Sequence, residues 1–369
     1  MNDGKIYLDN NATTFLDPRV LRVVTESLQT LQGNPSSVHT LGQQAKRALL
    51  NARRTLAEAI QADPSEIVFF GGATEALNTL MRGSLSRGEH LVTSAVEHAA
   101  VYATAKDLQN EGVESTFIEP GLYGAASLEQ VERALQPNTH LIALMGVNNE
   151  TGVQTDLEAI AELALARKIP LLVDGVAQFG KEPLNLFPGI LAYCASGHKI
   201  HGPKGVAFAL IRRNFPFKPL LTGGEQEGGK RGGTENIPAI VGLAEAVRLT
   251  FAEKGWEQME TLRQAFEAGL ATFPNIEING TASRTSNTTN ATFIGQEGEL
   301  LLAKLDLQGI CVSHGSACAS GALEPSRILL NMGIPRSKAA SALRFSFSRF
   351  NTMDEVERTL AALRRIISS

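Results

Sequence analysis

Short apolar runs recur along this chain at intervals of roughly 25 residues, the repeat expected when each strand is followed by a helix. They fall near 66–70, 90–94, 115–118, 140–146, 170–174, 191–195 and 206–211. Helical patterns fill several of the gaps. Over 41–60, Leu41, Ala45, Ala48, Leu49, Ala52, Leu56 and Ile60 share one helical face. A second helix closes the chain: Thr352 and Glu355 form a capping-box pattern, and Val356, Leu360, Leu363 and Ile366 supply the apolar stripe. The alternation predicts an α/β fold, a mostly parallel sheet with helices on both faces. After about residue 254 the rhythm changes to longer helices and scattered short strands, which predicts a second, smaller domain. The glycine-rich run 223–233 reads as a loop.

A chain of 369 residues is long for one simple core, which also favours two domains. Net charge is −4, too small to expect a field that attracts nucleic acid or a membrane surface. No apolar run reaches the roughly 18 residues needed to span a bilayer. The first residues, Met1-Asn2-Asp3-Gly4-Lys5, show no basic segment ahead of an apolar one, so no secretory leader is expected. Three widely spaced cysteines, Cys194, Cys311 and Cys318, are not a disulfide framework and suit a reducing, cytoplasmic setting.

The chemistry concentrates just after the predicted strands. Lys199 stands in Ser196-Gly197-His198-Lys199, and Asp174 ends the apolar run Leu171-Leu172-Val173 one strand interval upstream. A lysine able to form a Schiff base and a carboxylate able to hold a pyridinium nitrogen protonated are what pyridoxal phosphate (PLP) chemistry requires. Alone, Lys199 would read as structural and Asp174 as a helix cap. Ser196 and His198 can donate to a phosphate, and Gly197 lets backbone approach closely. Lys204 is the competing lysine. Gly71-Gly72-Ala73-Thr74 opens a helix after a strand and suits an anion, or is simply a tight turn. His98 follows another strand, where it can stack on a cofactor and move protons, or sit as a core histidine. Asn149 lies in a pair of asparagines that equally reads as a turn. Cys318 lies in Gly315-Ser316-Ala317-Cys318-Ala319-Ser320-Gly321, a polar, glycine-rich run where a buried structural cysteine would not ordinarily sit; it reads either as a loop cysteine without a role or as a nucleophile that must travel. Arg344, within an apolar stretch, calls for a carboxylate, from a ligand or from an internal salt bridge.

Taken together, the segments resemble the cysteine desulfurases of the class V aminotransferase group. They are Tyr7-Leu8-Asp9-Asn10-Asn11-Ala12-Thr13-Thr14, Gly33-Asn34-Pro35-Ser36-Ser37, Gly72-Ala73-Thr74-Glu75, Glu97-His98, Asn148-Asn149-Glu150, Ser196-Gly197-His198-Lys199 and Arg231-Gly232-Gly233-Thr234-Glu235-Asn236. The cysteine segment, followed by Leu323-Glu324-Pro325-Ser326, resembles the NifS/IscS-type branch. The resemblance implies a type I PLP-dependent transferase fold. Its large PLP-binding domain would span 14–254 around a mostly parallel seven-stranded sheet. A smaller α+β domain would comprise 1–13 and 255–369 and carry a mobile cysteine loop at about 313–325.

The resemblance also implies roles. Lys199 would carry PLP and move protons, and Asp174 would bond the pyridine nitrogen. His98 would stack on the ring and handle a proton. Ala73, Thr74, Ser196 and His198 would hold the phosphate, and Thr234 would reach the phosphate of the other subunit of a homodimer. Asn34, Asn149 and Arg344 would clamp the carboxylate of L-cysteine, Asn149 also touching the cofactor. Cys318 would attack the substrate sulfur, become a persulfide and pass sulfur to acceptors such as an iron–sulfur scaffold, while alanine leaves. No resident metal is implied, Cys318 being at most a transient iron–sulfur ligand. Three positions depart from the pattern. Ala177 stands where a glutamine bonds the PLP phenolic oxygen, so Gln178, one residue later, is expected to restore that contact. Gly228 replaces an arginine and Gly146 a histidine. Alternative readings are a selenocysteine lyase, another class V enzyme such as an aminotransferase, or a non-catalytic partner.

Overall fold

A computed structural model describes residues 4–315 and 324–367. All seven apolar runs become strands of one sheet: Ile67–Phe70, His90–Ser94, Glu114–Ile118, Thr139–Met145, Leu171–Asp174, Ile190–Ser196 and Ala207–Ile211. From edge to edge, the strands begin at residues 67, 207, 190, 171, 139, 90 and 114. Only Ala207–Ile211 runs antiparallel to its neighbours. The others are parallel.

Side-chain alternation along each strand separates two cores. Ile67, Phe69, Leu171, Val173, Tyr193 and Ala195 face one side. Val68, Phe70, Leu172, Ala192 and Cys194 face the other. On the first side pack Pro18–Thr30, Thr40–Ala59 and Ile237–Glu253, with Val20, Leu56 and Leu243 buried. On the second pack Ala73–Ser84 and Ala99–Asn110, through Leu77, Leu80, Val101 and Leu108. Both faces of the sheet are therefore dry, which is why its strands read as unbroken apolar runs.

A third cluster lies in the C-terminal part. Strands Ile276–Ile278, Thr288–Phe293 and Ala342–Ser346 form an antiparallel sheet, order 342–346, 288–293, 276–278. Helices Trp256–Leu270, Gly298–Leu307 and Met353–Ile367 cover it, with Phe266, Leu305 and Leu363 in the core. The N-terminal Ile6 and Leu8 join this cluster, and Ile6–Tyr7 pairs in parallel with Ile310–Cys311. The capping box predicted for the last helix forms. Thr352 N–H donates to Glu355 Oε2 (3.0 Å) and Glu355 N–H to Thr352 Oγ1 (3.3 Å). No helix of the described residues is long and apolar enough to cross a membrane.

Candidate active site

Strands of an open parallel sheet leave a crevice beyond their carboxyl ends. Here that crevice is a cavity of about 470 Å³, and it gathers most of the residues singled out in the sequence.

Lys199 ends a single helical turn, Gly197–Lys199, that follows directly on the strand Ile190–Ser196. Its Nζ reaches across the cavity to donate to the carbonyl of Ala12 (3.0 Å) and to that of Asn11. Lys204 also borders the cavity, but it is exposed. Asp174 is the last residue of its strand, in register with Met145 and Cys194 on either side. One carboxyl oxygen accepts the Val176 N–H at 3.0 Å. Burial raises the proton affinity of this carboxyl, against the pull of His98, the Val176 N–H and Lys199. Among the described residues Asp174 forms no salt bridge; its nearest charged neighbours are His98 and Lys199, which line the same cavity.

His98 caps the helix Ala99–Asn110: its Nδ1 accepts the Ala100 N–H at 3.1 Å. That bond assigns the ring proton to Nε2. Burial holds the imidazole below its ordinary pKa, Lys199, Arg327 and Arg344 push the same way, and Asp174 opposes them. At one end of the cavity the helix Ala73–Ser84 begins without a side-chain cap, leaving its first N–H groups for a ligand. Nothing lies within 4 Å of where a Cβ on Gly72 would stand, so the space above this helix start is open. Thr74, Ser196 and His198 line the same cavity. The His198 Nδ1 meets the Thr13 hydroxyl at 3.2 Å, and burial beside Lys199 and Lys204 lowers its pKa to about 4.

At the other end stands Arg344, 2% exposed. Nη2 donates to Asp9 Oδ1 (2.8 Å) and Nη1 to the Asn149 carbonyl (3.0 Å). So the internal salt bridge expected as an alternative is present. Yet Arg344 Nε and Asn149 Oδ1, both buried, have no partner among the described residues. An orphaned buried donor beside an orphaned acceptor is costly unless a ligand completes them.

Three expected residues lie off the cavity. Gln178, the residue expected to supply the shifted contact, does not line the cavity. Its Nε2 donates to Glu182 (2.8 Å) and its Oε1 accepts from Tyr193 (3.2 Å). The reason is Gly146: a Cβ there would stand 2.4 Å from Gln178 Oε1, so the missing side chain makes the amide's berth, and Ala177 faces the cavity instead. Asn34 sits in an exposed turn, where its Oδ1 caps the Ser36 N–H at 2.9 Å, rather than beside Arg344. Thr234 is exposed on its loop. Cys318 and the central part of the expected 313–325 loop lie outside the described residues.

Sequence reasoning missed Lys181. It is 4% exposed, borders the cavity and donates to the Lys199 carbonyl at 2.9 Å, with burial drawing its pKa down to about 7. No local signal marks it, because its role comes from packing against a turn 18 residues later.

The arrangement fits PLP. An amine and an unpaired buried carboxyl share one cavity, an open anion seat lies at one end, and unfilled hydrogen-bonding atoms lie at the other.

Residues 6–359 match the family described as "Aminotransferase class-V". A "Cysteine desulfurase" of Trichormus azollae is 41% identical over 370 residues, covering 98% of this chain and 92% of the relative. "Cysteine desulfurase IscS" of Serratia proteamaculans is 38% identical, again over 98% of this chain and 92% of the relative. A solved "NIFS-LIKE PROTEIN" superposes with a TM-score of 0.92 at 32% identity, covering 99% of each chain. With its sheet, its cavity and nearly its whole length accounted for, the chain belongs to the class V aminotransferase family.

Proposed function

We propose that this protein is a PLP-dependent cysteine desulfurase, converting L-cysteine to L-alanine and carrying the sulfur as a persulfide on Cys318. The observation that carries this reading is the convergence of Lys199 and Asp174 on one cavity whose far end presents the unfilled atoms of Arg344 and Asn149.

PLP, when bound, supplies an electron sink for the carbon that loses its proton and for the neighbouring carbon from which sulfur departs. The chain's own groups do the rest. Asp174, buried and unpaired, holds the proton of the ring nitrogen. Thr74, Ser196, His198 and the backbone N–H groups from Ala73 onward hold the phosphate. Lys199 would provide the covalent link to PLP, and its amine would take and return the Cα proton of the substrate. Arg344 and the side-chain N–H of Asn149 would hold the substrate carboxylate, and Asn149 Oδ1 is left to accept from a donor on the ligand. His98, which lines the cavity and is kept neutral by burial, would stack on the cofactor ring and accept the proton that leaves a thiol. The Cys318 thiolate attacks the substrate sulfur. An S–S bond forms, the carbon–sulfur bond breaks, and the carbon takes a proton as alanine is completed.

We read the protein as a cytoplasmic homodimer, with Thr234, exposed and off its own cavity, reaching the phosphate site of the partner. Acceptors of the persulfide, such as an iron–sulfur scaffold, complete the cycle. The boundary near residue 254 divides the PLP-binding domain from the smaller one, which includes residues 1–13.

Incubation with PLP and L-cysteine is expected to yield alanine, together with a mass increase of one sulfur atom on the Cys318 peptide. Borohydride should fix PLP to Lys199, and Lys199→Ala should abolish that fixation. Cys318→Ser should retain bound PLP and form no persulfide. A borohydride adduct at Lys204, or undiminished sulfur release by Cys318→Ser without added thiol, would overturn the assignment.

A further inference from the structure

We propose that Arg327 is a positioning residue for His98, tying the helix that follows the cysteine-bearing segment to the loop that presents the imidazole to the cavity. The inference rests on the proposed role of His98 and adds a residue which that role does not itself require.

Arg327 opens the helix Arg327–Asn331, directly after its cap Ser326. Its guanidinium does not seek a carboxylate: among the described residues none lies within ion-pair distance. Nη1 donates to the Ala95 carbonyl and Nη2 to the Glu97 carbonyl, both at 2.5 Å. The two bonds straddle Val96 and end one residue before His98. The guanidinium carbon also stands 3.9 Å from the centroid of Tyr102, in the first turn of the helix that His98 caps. Asn331, at the other end of the short helix, donates to the same Ala95 carbonyl at 2.7 Å. A planar fork that bonds two carbonyls two residues apart and stacks on a ring fixes the approach of residues 95–98 from outside, as a lysine's single point of contact would not. On its other side the helix start is tied to the opposite wall, where the Ser326 hydroxyl donates to Glu150, the neighbour of Asn149. The exit of the cysteine segment is thus held at once to the His98 loop and to the asparagine loop.

The clamp has an electrostatic consequence. Burial is the chief cause of the low pKa of His98, and the charges of Lys199, Arg327 and Arg344 add to it while Asp174 opposes. His198 faces His98 as well, and burial keeps its imidazole neutral. Glu97, next along the chain, is fully buried with its pKa pushed up to about 8, so it brings little negative charge at neutral pH. Glu150 also acts on Arg327, but burial raises its pKa as well, so its charge offsets that of Arg327 only in part. Arg327 makes no ion pair and adds positive potential near His98, which favours the uncharged ring that a proton acceptor needs.

The test uses the full chain with Arg327→Met and Arg327→Lys. Histidine-labelled apoprotein is titrated by NMR, with His98→Gln assigning the resonance. Arg327→Met should move the His98 midpoint to higher pH and leave the other histidines in place. Arg327→Lys should stay closer to the wild type. With PLP and cysteine, Arg327→Met should lower kcat roughly tenfold, with little change in KM and the acid limb of the pH profile displaced upward. Should the methionine variant not fold, Arg327→Gln keeps a donor while removing the charge and should show the same displacement. An unmoved His98 midpoint in whichever variant folds overturns the proposal. Because the titration needs no turnover, a moved midpoint in a protein that makes no alanine would instead uphold the clamp and sink the desulfurase reading.

Discussion

His201 shows how much a single residue here depends on surroundings that its neighbours in sequence do not reveal. It takes a left-handed backbone conformation (φ 64°), bonds the Phe15 carbonyl through Nδ1 at 2.9 Å and meets the Phe350 ring edge-on at 4.7 Å. Burial, reinforced by Lys181 and Arg349, draws its pKa down to about 3. The unfolded chain takes up this proton near pH 6.5 and the folded one only near 3. Between those values the unfolded state binds more protons, so the stability His201 contributes is intact above pH 6.5 and is lost as pH falls. Asparagine tolerates the same backbone conformation but does not titrate. His201→Asn should therefore be less stable than the parent at pH 7.5. The gap should narrow by roughly 1 kcal/mol per pH unit below about 6.5, as read by urea unfolding of the apoproteins. A gap that stays constant to pH 5 would mean that the folded protein already accommodates the imidazolium. The same lesson holds for Gln178. Its place in the chain predicts a contact one residue out of register, but the berth made by Gly146 on a neighbouring strand end turns the amide away from the cavity.

Elements were the most legible scale. The strand runs and the long helix Thr40–Ala59 were readable because burial on both sheet faces writes itself as solid apolar stretches, and burial on one helix face as a stripe. Direction was not legible: Ala207–Ile211 is as apolar as its parallel neighbours, yet it runs against them. Nor were helix contacts. Gly242, inside Ile237–Glu253, has the low helix propensity that would make alanine an improvement in isolation. A Cβ there would instead stand 2.4 Å from Val24 Cγ2 on the helix Pro18–Thr30 and 2.8 Å from Pro203 Cγ. Gly242→Ala should thus destabilise by about 1–3 kcal/mol despite the gain in propensity, and a rise in denaturation midpoint would show that these helices separate at little cost.

Across the whole molecule, distant segments are joined by polar ties that no local pattern predicts. The glycine-rich loop 223–233 is anchored by Glu227, whose carboxylate accepts from Arg53 (2.7 and 2.9 Å) and from the Phe69 N–H on the edge strand (2.8 Å). The Glu227 side chain is 1% exposed and that of Arg53 14%. Removing the negative charge leaves a largely buried guanidinium unpaired, so Glu227→Gln should cost roughly 3 kcal/mol in chemical denaturation. An unchanged midpoint would mean that the loop carries no share of the fold's stability. The candidate site follows the same division. Lys199, Asp174, His98 and Thr74 were visible because each ends or follows an apolar strand, and parallel strands deliver their ends to one side. Lys181 and Arg327 were not, since each acts on main-chain carbonyls that only folding brings near. Hydrophobic periodicity, a local property, was enough to determine the strands and the edge of the sheet that carries the chemistry. Which side chains face the cavity, which are turned aside and which charges go unpaired depended on contacts between residues far apart in the chain, and those exist only once the core has closed.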